Sequence, residues 1–390
     1  MRLKKAIGLC GLSGLFFFLL SCQPIQSNKN FIGEQHSQAE SSPVEIKIKK
    51  TNQYGANRKG AKDNEQKLET FVAEKLTGDY GIYTNYLDTD QNEEVATGHE
   101  VLSESAGLML RYAALKQDET LFKKTWETTV ATFNESTQFS YRFSPKLQKR
   151  YPVNASVDDL RIIRGLAEAQ QFIPGATSEN LVTQYGSRFY KKMVNQNKLV
   201  DFRDSQYDIT NQSITLCYID LKTLSLLPVA VEDKKALIDE QEMILTEGYL
   251  GDQFPFYQTR YDYTQKAYIA SEEINVIESL LSILHLSEAG KTKSQSLAFI
   301  KENVEKGTLY NRYSKTGEVL DQNQSAAAYG ICAMIASEVG DEELYNRAMD
   351  RMEASQIHDP ASPLNGGYGD SQTNALFSFN NLIALLAYQY

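Results

Sequence analysis

Carboxylates recur in this 390-residue chain where predicted helices begin. Glu104 lies in Ser103-Glu104-Ser105-Ala106-Gly107-Leu108-Met109, and Asp158 and Asp159 adjoin in Ala155-Ser156-Val157-Asp158-Asp159-Leu160-Arg161-Ile162. Asp220 follows Thr215-Leu216-Cys217-Tyr218-Ile219, Asp262 sits in Arg260-Tyr261-Asp262-Tyr263, and Glu272 in Ser271-Glu272-Glu273-Ile274-Asn275. Two carboxyl groups facing each other across a sugar can hydrolyse a glycosidic bond. One, protonated, gives its proton to the leaving oxygen; the other, ionised, takes a proton from water. Keeping a Glu protonated near neutral pH requires burial against apolar neighbours. A helix N-terminus opposes that, because its dipole favours the anion. Taken singly, each of these acids also fits an ordinary first-turn or capping role. The four His, at 36, 99, 285 and 358, lack metal-ligand spacing, so neither a metal nor another cofactor is implied.

The elements that would position these acids alternate in character. Hydrophobic periodicity and breakers predict helices over 67–77, 101–116, 118–133, 156–173, 177–194, 214–228, 232–248, 271–287, 291–306, 324–338, 341–356 and 372–388. Asp118 and Asp341 are predicted N-caps, Gly290 and Gly340 end helices, and Pro152, Pro174 and Pro363 fall in connections. Every second helix is apolar or small all round, as in Ser325-Ala326-Ala327-Ala328-Tyr329-Gly330-Ile331. The others carry one apolar stripe, as in Asp118-Glu119-Thr120-Leu121-Phe122-Lys123-Lys124-Thr125-Trp126. The first kind is buried and the second faces water on one side. Their alternation predicts an all-α fold: an (α/α)6 toroid of about six helical hairpins, an inner ring within an outer ring. The acids then share one rim.

Met1-Arg2-Leu3-Lys4-Lys5, an apolar run from Ala6 to Leu20 and Ser21-Cys22 make a secretory signal, too short for an ordinary spanning helix. Leu19-Leu20-Ser21-Cys22 resembles a bacterial lipobox, which implies that Cys22 is lipidated and the protein is anchored on the extracellular face of the cell membrane. Residues 1–21 are thus a signal peptide, 22–66 a flexible polar tether, and 67–390 one domain. Removing Arg2, Lys4 and Lys5 takes the net charge from −10 to −13. That argues against nucleic acid and against a polyanion held in a basic groove. Cys217 and Cys332 read as small core residues, with a disulfide between them left open. The 23 Tyr and 17 Phe cluster partly in loops before buried helices, Tyr261 among them, where rings suit stacking on sugars.

The segment Ser103-Glu104-Ser105-Ala106-Gly107-Leu108-Met109, followed by Asp118 to Phe122 and Trp126, resembles glycoside hydrolase family 8. The resemblance implies a six-hairpin toroid and inverting hydrolysis of β-linked polysaccharide, with Glu104 as general acid. Ser105 and Leu108 depart from the family's Gly and Tyr, which points to a divergent branch. Asp159 matches the family's second Asp, a sugar contact at the cleavage point, with Asp158 the alternative if the register slips by one. Tyr218 matches a sugar-contacting Tyr, and Asp220 is a further candidate facing the cavity. For the general base, the Tyr-Asp dipeptide favours Asp262 and the place before the helix favours Glu272. The expectation is a monomeric, membrane-anchored endo-glycosidase acting on extracellular polysaccharide, in a lipoprotein branch associated with exopolysaccharide. The alternative is a polysaccharide-binding or assembly lipoprotein without activity.

Overall fold

The computed structural model describes residues 47–90, 95–177 and 180–390. The signal peptide and Cys22 lie outside the described residues. A single turn, α1 (Tyr54–Asn57), leads into α2 (Ala61–Phe71), and six inner helices follow: α3 (Ser103–Lys116), α5 (Ser156–Phe172), α7 (Leu221–Ser225), α9 (Val276–Glu288), α11 (Ala326–Val339) and α13 (Ser378–Ala387). Between them run α4 (Glu119–Phe133), α6 (Leu181–Met193), α8 (Val231–Glu247), α10 (Ser294–Lys306) and α12 (Glu342–Glu353), which with α2 form the outer ring. Helix α3 packs on α5, α9 on α11, α11 on α13, and α13 returns to α3; α7 and the 3-10 turn Leu216–Tyr218 close the gap between α5 and α9. The architecture is therefore the double ring expected.

Residue size explains which helix goes where. All of α3 from Ser103 to Leu115 is buried, as is α5 from Ser156 to Ala169. The outer α6 buries only Val182, Tyr185, Gly186, Phe189 and Met193, one stripe at helical spacing. Asp118 caps α4 by accepting from the Leu121 amide (2.9 Å), and Asp341 caps α12 through the Leu344 amide (2.9 Å). Gly340 ends α11 at φ 78°. Cys217 and Cys332 are both free and buried.

Short antiparallel ribbons stand on the rim where the inner helices begin. Val101–Leu102 pairs with Arg142–Ser144, Ser213–Thr215 with Arg260–Asp262, and Glu273–Asn275 with Arg312–Ser314. They take residues from the starts of the helices expected over 101–116, 214–228 and 271–287, and the last expected helix starts late as well. The sixth keeps only Leu221–Ser225 after the 3-10 turn, because Asp220 caps it anew by accepting from the Thr223 amide (2.9 Å). The eighth starts at Val276 behind its cap Asn275, and the last starts at Ser378 after Asn374, which sits at φ 57°.

The boundary of the tether also moves. Ile48 is buried and exchanges two hydrogen bonds of 2.6 Å with the Gln171 side chain. Asn52 donates to the Ser337 carbonyl (2.5 Å), Thr51 to that of Gln389 (2.7 Å), and the Tyr54 amide to that of Tyr390 (2.8 Å). Arg58 pairs with Asp350 and Glu353 on α12. Residues 48–60 are thus a strap over the ends of α5, α11 and α13. Deleting residues 47–58 is expected to lower Tm by roughly 5 °C or more, because a buried side chain and several hydrogen bonds are lost. A melting curve unchanged by the truncation would contradict the strap.

Candidate active site

Helices α3 and α5 run side by side in register, so that residues about 55 apart in sequence meet. A Cβ on Gly107 would lie 2.7 Å from the Arg161 Cβ, and one on Gly165 would lie 2.8 Å from the Leu110 Cβ. At the starting end of this pair, Arg161 Nη1 donates to Asp158 Oδ1 (2.9 Å) and reaches Glu104 Oε2 (3.3 Å). Ser103 Oγ donates to Asp158 Oδ2 (3.1 Å). All four side chains are buried. Burial pushes the Glu104 carboxyl up to about 7; Arg161 pulls it down and Asp158 pushes it up. Burial raises Asp158 as well, against the pull of Arg161 and Ser103.

A second charged group lies beyond the 3-10 turn. Asp201 accepts from the Thr215 amide (2.6 Å), Thr215 Oγ1 (3.0 Å) and Asn211 Nδ2 (3.2 Å). Arg260 Nε lies 3.8 Å from Asp201 Oδ2 and 3.3 Å from Thr215 Oγ1. Glu278, in the first turn of α9, is half-buried. Desolvation pushes its carboxyl up to about 7, opposed by Arg260 and by a hydrogen bond from Thr259. Cys217 and Tyr218 stand between the two groups. The Cys217 thiol is held up by burial and then by Glu278, while Arg161 pulls it down. Burial likewise raises the Tyr218 hydroxyl, which feels Asp201, Asp158 and Arg161.

Among the sequence candidates, Glu104 and Tyr218 therefore share one rim, joined by Asp158 rather than Asp159. One residue along a helix turns a side chain by about 100°, so Asp159 points between the rings instead. There it accepts from Asn154 Nδ2 (2.9 Å) in a small pocket with Phe139, Tyr185, Arg188 and Met193. Asp220 faces the opposite end of the ring: its Oδ1 lies 3.9 Å from Arg164 Nη1 and 3.9 Å from His285 Nδ1. Tyr261 alternates with Arg260 on its strand and so takes the other face. Its ring meets Tyr263 and Tyr268, and Tyr268 donates to the Ile244 carbonyl on α8 (2.6 Å).

Asp262 is committed to its own hairpin, accepting from the amides of Thr264 (2.7 Å) and Gln265 (2.9 Å). Glu272 is 82% exposed and pairs with Lys315 at 2.9 Å. Neither belongs to the cluster around Glu104. Sequence reading missed Arg161, Asp201, Arg260 and Glu278. The first follows Asp158 by three residues, one helical turn, which was a usable signal. Glu278 follows the cap Asn275 by three residues, the spacing of a capping box, but with the helix expected from residue 271 it fell two turns inside the helix and away from the rim.

Among the described residues, Asp220, His285 and Glu288 bring one possible ligand atom each within 4.8 Å of one another. Arg164 already pairs with Glu288 at 3.0 Å, and Lys222 lies 3.8 Å from it, so protein cations occupy that ground.

No family model matches the chain. A putative lipoprotein, YdaJ of Bacillus subtilis (strain 168), is 28% identical over 331 residues, covering 83% of this chain and 86% of its own length. Among solved structures, a novel alpha-amylase from Clostridium perfringens is 31% identical with a TM-score of 0.77, covering 84% of this chain and 97% of that one. PssZ from Listeria monocytogenes is 18% identical (TM-score 0.65; 83% and 94% covered). The endo-beta-1,4-glucanase CMCax from Acetobacter xylinum is 16% identical (TM-score 0.57; 84% and 97% covered), and at that identity the likeness is one of fold.

The raised Glu104 carboxyl has a consequence for stability. Its folded value, about 7, exceeds an unfolded value near 4.5. Its stabilising contribution is therefore complete below the unfolded value and lost as pH rises through the folded one. Glu104→Gln is neutral throughout, so it should raise Tm by a few degrees at pH 8 and leave it nearly unchanged at pH 4. Calorimetry at the two pH values checks this; destabilisation at pH 8 would show that the ionised carboxylate is needed for the fold.

Proposed function

The chain belongs to the glycoside hydrolase family 8-like (α/α)6 toroids, and on that premise we propose that it hydrolyses glycosidic bonds with Glu104 as the general acid. One observation carries this reading. Glu104 is buried at the start of an inner helix, in a setting that holds its proton near neutral pH although a helix N-terminus and Arg161 both favour the anion. Protonating the leaving oxygen requires that state. Asp158, itself held by Ser103, holds the Arg161 guanidinium beside Glu104 and so fixes where the acid points. The reaction is inverting and endo-acting in this reading.

The substrate is an extracellular polysaccharide without strong negative charge. The mature chain is itself strongly acidic, and the rim carries the carboxyls of Glu104, Asp158, Asp201 and Glu278 against Arg161 and Arg260. A polyanion would be repelled. The candidates include a bacterial exopolysaccharide or related β-linked glycan. The relative named an alpha-amylase adds α-linked glucan.

The anchor is a lipid at Cys22, a reading supported by the lipobox-like Leu19-Leu20-Ser21-Cys22 and by a relative named as a putative lipoprotein. The strap from Ile48 crosses the end of the ring where α5, α11 and α13 finish. Glu104 sits at the other end, so the site is turned away from the face where the chain arrives. Cys22→Ala should release the protein from membrane fractions or block its maturation; unchanged membrane association would exclude the lipid anchor.

The activity is tested by incubating the purified domain with soluble starch, hydroxyethylcellulose, xylan, mixed-linkage β-glucan and bacterial exopolysaccharides, and measuring new reducing ends. At least one should be cut, and Glu104→Gln should lower turnover by about 10²-fold or more while polymer binding is retained. Full activity in that variant would remove Glu104 from the chemistry. Binding without cleavage by the wild type would make the protein a polysaccharide-binding lipoprotein.

A further inference from the structure

We infer that Glu278 is the general base, the group that takes a proton from the attacking water opposite Glu104. The inference rests on the hydrolase reading above and deepens it.

Position is the first ground. Six helices form the inner ring, and α9 is three steps from α3 whichever way the ring is followed. Glu104 and Glu278 thus occupy the first turns of two inner helices on opposite sides of the ring, at the same rim. An inverting pair must leave room between acid and base for a water, roughly 6.5–9.5 Å, and opposite walls provide that separation more readily than neighbouring ones. The buried Cys217 thiol feels both Glu278 and Arg161, and Arg161 in turn pairs with Glu104, which places Cys217 and Arg161 between the two acids.

Availability is the second ground. A base needs a carboxylate oxygen free to meet water, and most rim carboxylates have both oxygens, or the one that faces the protein, already in use. Asp158 accepts from Ser103 and Arg161. Asp201 accepts from Thr215 twice and from Asn211. Glu100 is fully buried in a two-bond pair with Arg142 and accepts from the Thr97 amide. Asp262 serves its turn, Glu272 pairs with Lys315, and Glu273 takes both Arg312 contacts. Burial raises the Glu278 carboxyl, and nearby Arg260 and one hydrogen bond from Thr259 oppose that by favouring the ionised form. The residue is only partly buried, unlike Glu100, Asp158 and Asp201.

The step balances as follows. The oxygen of a water bonds to the anomeric carbon, one of its protons passes to Glu278, and the bond from that carbon to the glycosidic oxygen breaks. The Glu104 proton goes to the departing oxygen. The new hemiacetal has the opposite anomeric configuration, and solvent exchange returns the proton from Glu278 to Glu104.

The test compares Glu278→Ala, Glu278→Gln, Asp262→Asn, Glu272→Gln and Glu104→Gln on whichever polymer of the panel is cut, with melting curves to establish that each variant is folded. Glu278→Ala and Glu278→Gln should lose at least about 10²-fold in turnover with KM within roughly threefold. Sodium azide should restore part of the activity of Glu278→Ala only, by attacking the anomeric carbon without needing a base, and should yield a glycosyl azide of inverted configuration. Near wild-type turnover in both Glu278 variants while Glu104→Gln is inactive would overturn the assignment and leave the hydrolase reading standing. A selective loss in Asp262→Asn or Glu272→Gln would move the base there. A folded wild type that cuts no polymer overturns the parent reading and this assignment with it.

Discussion

The close approach of α3 and α5 is the constraint on which the rim depends. Gly107 lies against Arg161 and Ile162, and Gly165 against Leu110 and Arg111, with no space for a Cβ at either place. Two parallel helices can approach this closely only where small residues face each other. The contact then sets the reach of the long side chains on either side of it. Arg161 reaches Glu104 from α5, and Arg111 reaches Glu168 from α3 at 2.9 Å. Widening the helix pair would break both ion pairs and strand buried charges, which costs more than the pairs themselves contribute.

The same ring keeps two buried charge clusters with different tasks at its two ends. Where the inner helices finish, Arg111 and Arg164 hold Glu168, Arg164 also holds Glu288, and Tyr390 accepts from Arg111 (3.0 Å). Burial would raise the Glu288 carboxyl, but Arg164, His285 and Lys222 hold it well below the usual carboxylate range. That end is compensated, and the strap covers it. Where the helices start, positive partners are fewer, and Glu104, Asp158 and Glu278 are all raised by burial. Carboxyl groups whose protons are held more tightly by burial suit proton transfer better than they suit stability.

The double ring was legible because small and oily helices are conspicuous against amphipathic ones, and because Asp118, Asp341 and Gly340 carry their stop and start signals locally. The sixth helix was not: Asp220 looks like a residue within an apolar run until its cap to Thr223 is seen. The strap read as polar tether because Ile48 is its one large buried apolar residue, and its other holds, on backbone carbonyls and on the carboxylates that pair with Arg58, come from distant segments that sequence does not display. At the candidate site, the placing of Glu104 at the start of a buried inner helix was legible through its flanking residues. The choice between Asp158 and Asp159 was not, since both lie in one turn and only the neighbouring helix distinguishes their faces. Asp262 and Glu272 carried the right residue type beside plausible neighbours, yet a turn and a surface lysine claim them.

The stereochemistry of the first product tests the central claim most directly. Proton NMR of the anomeric region, recorded within minutes of adding enzyme to a cleavable polymer, distinguishes the two configurations before mutarotation mixes them. An acid and a base on opposite walls with water between them predict the inverted anomer. A retained anomer would contradict it, because retention needs a carboxylate nucleophile only about 5–5.5 Å from the acid and a covalent intermediate.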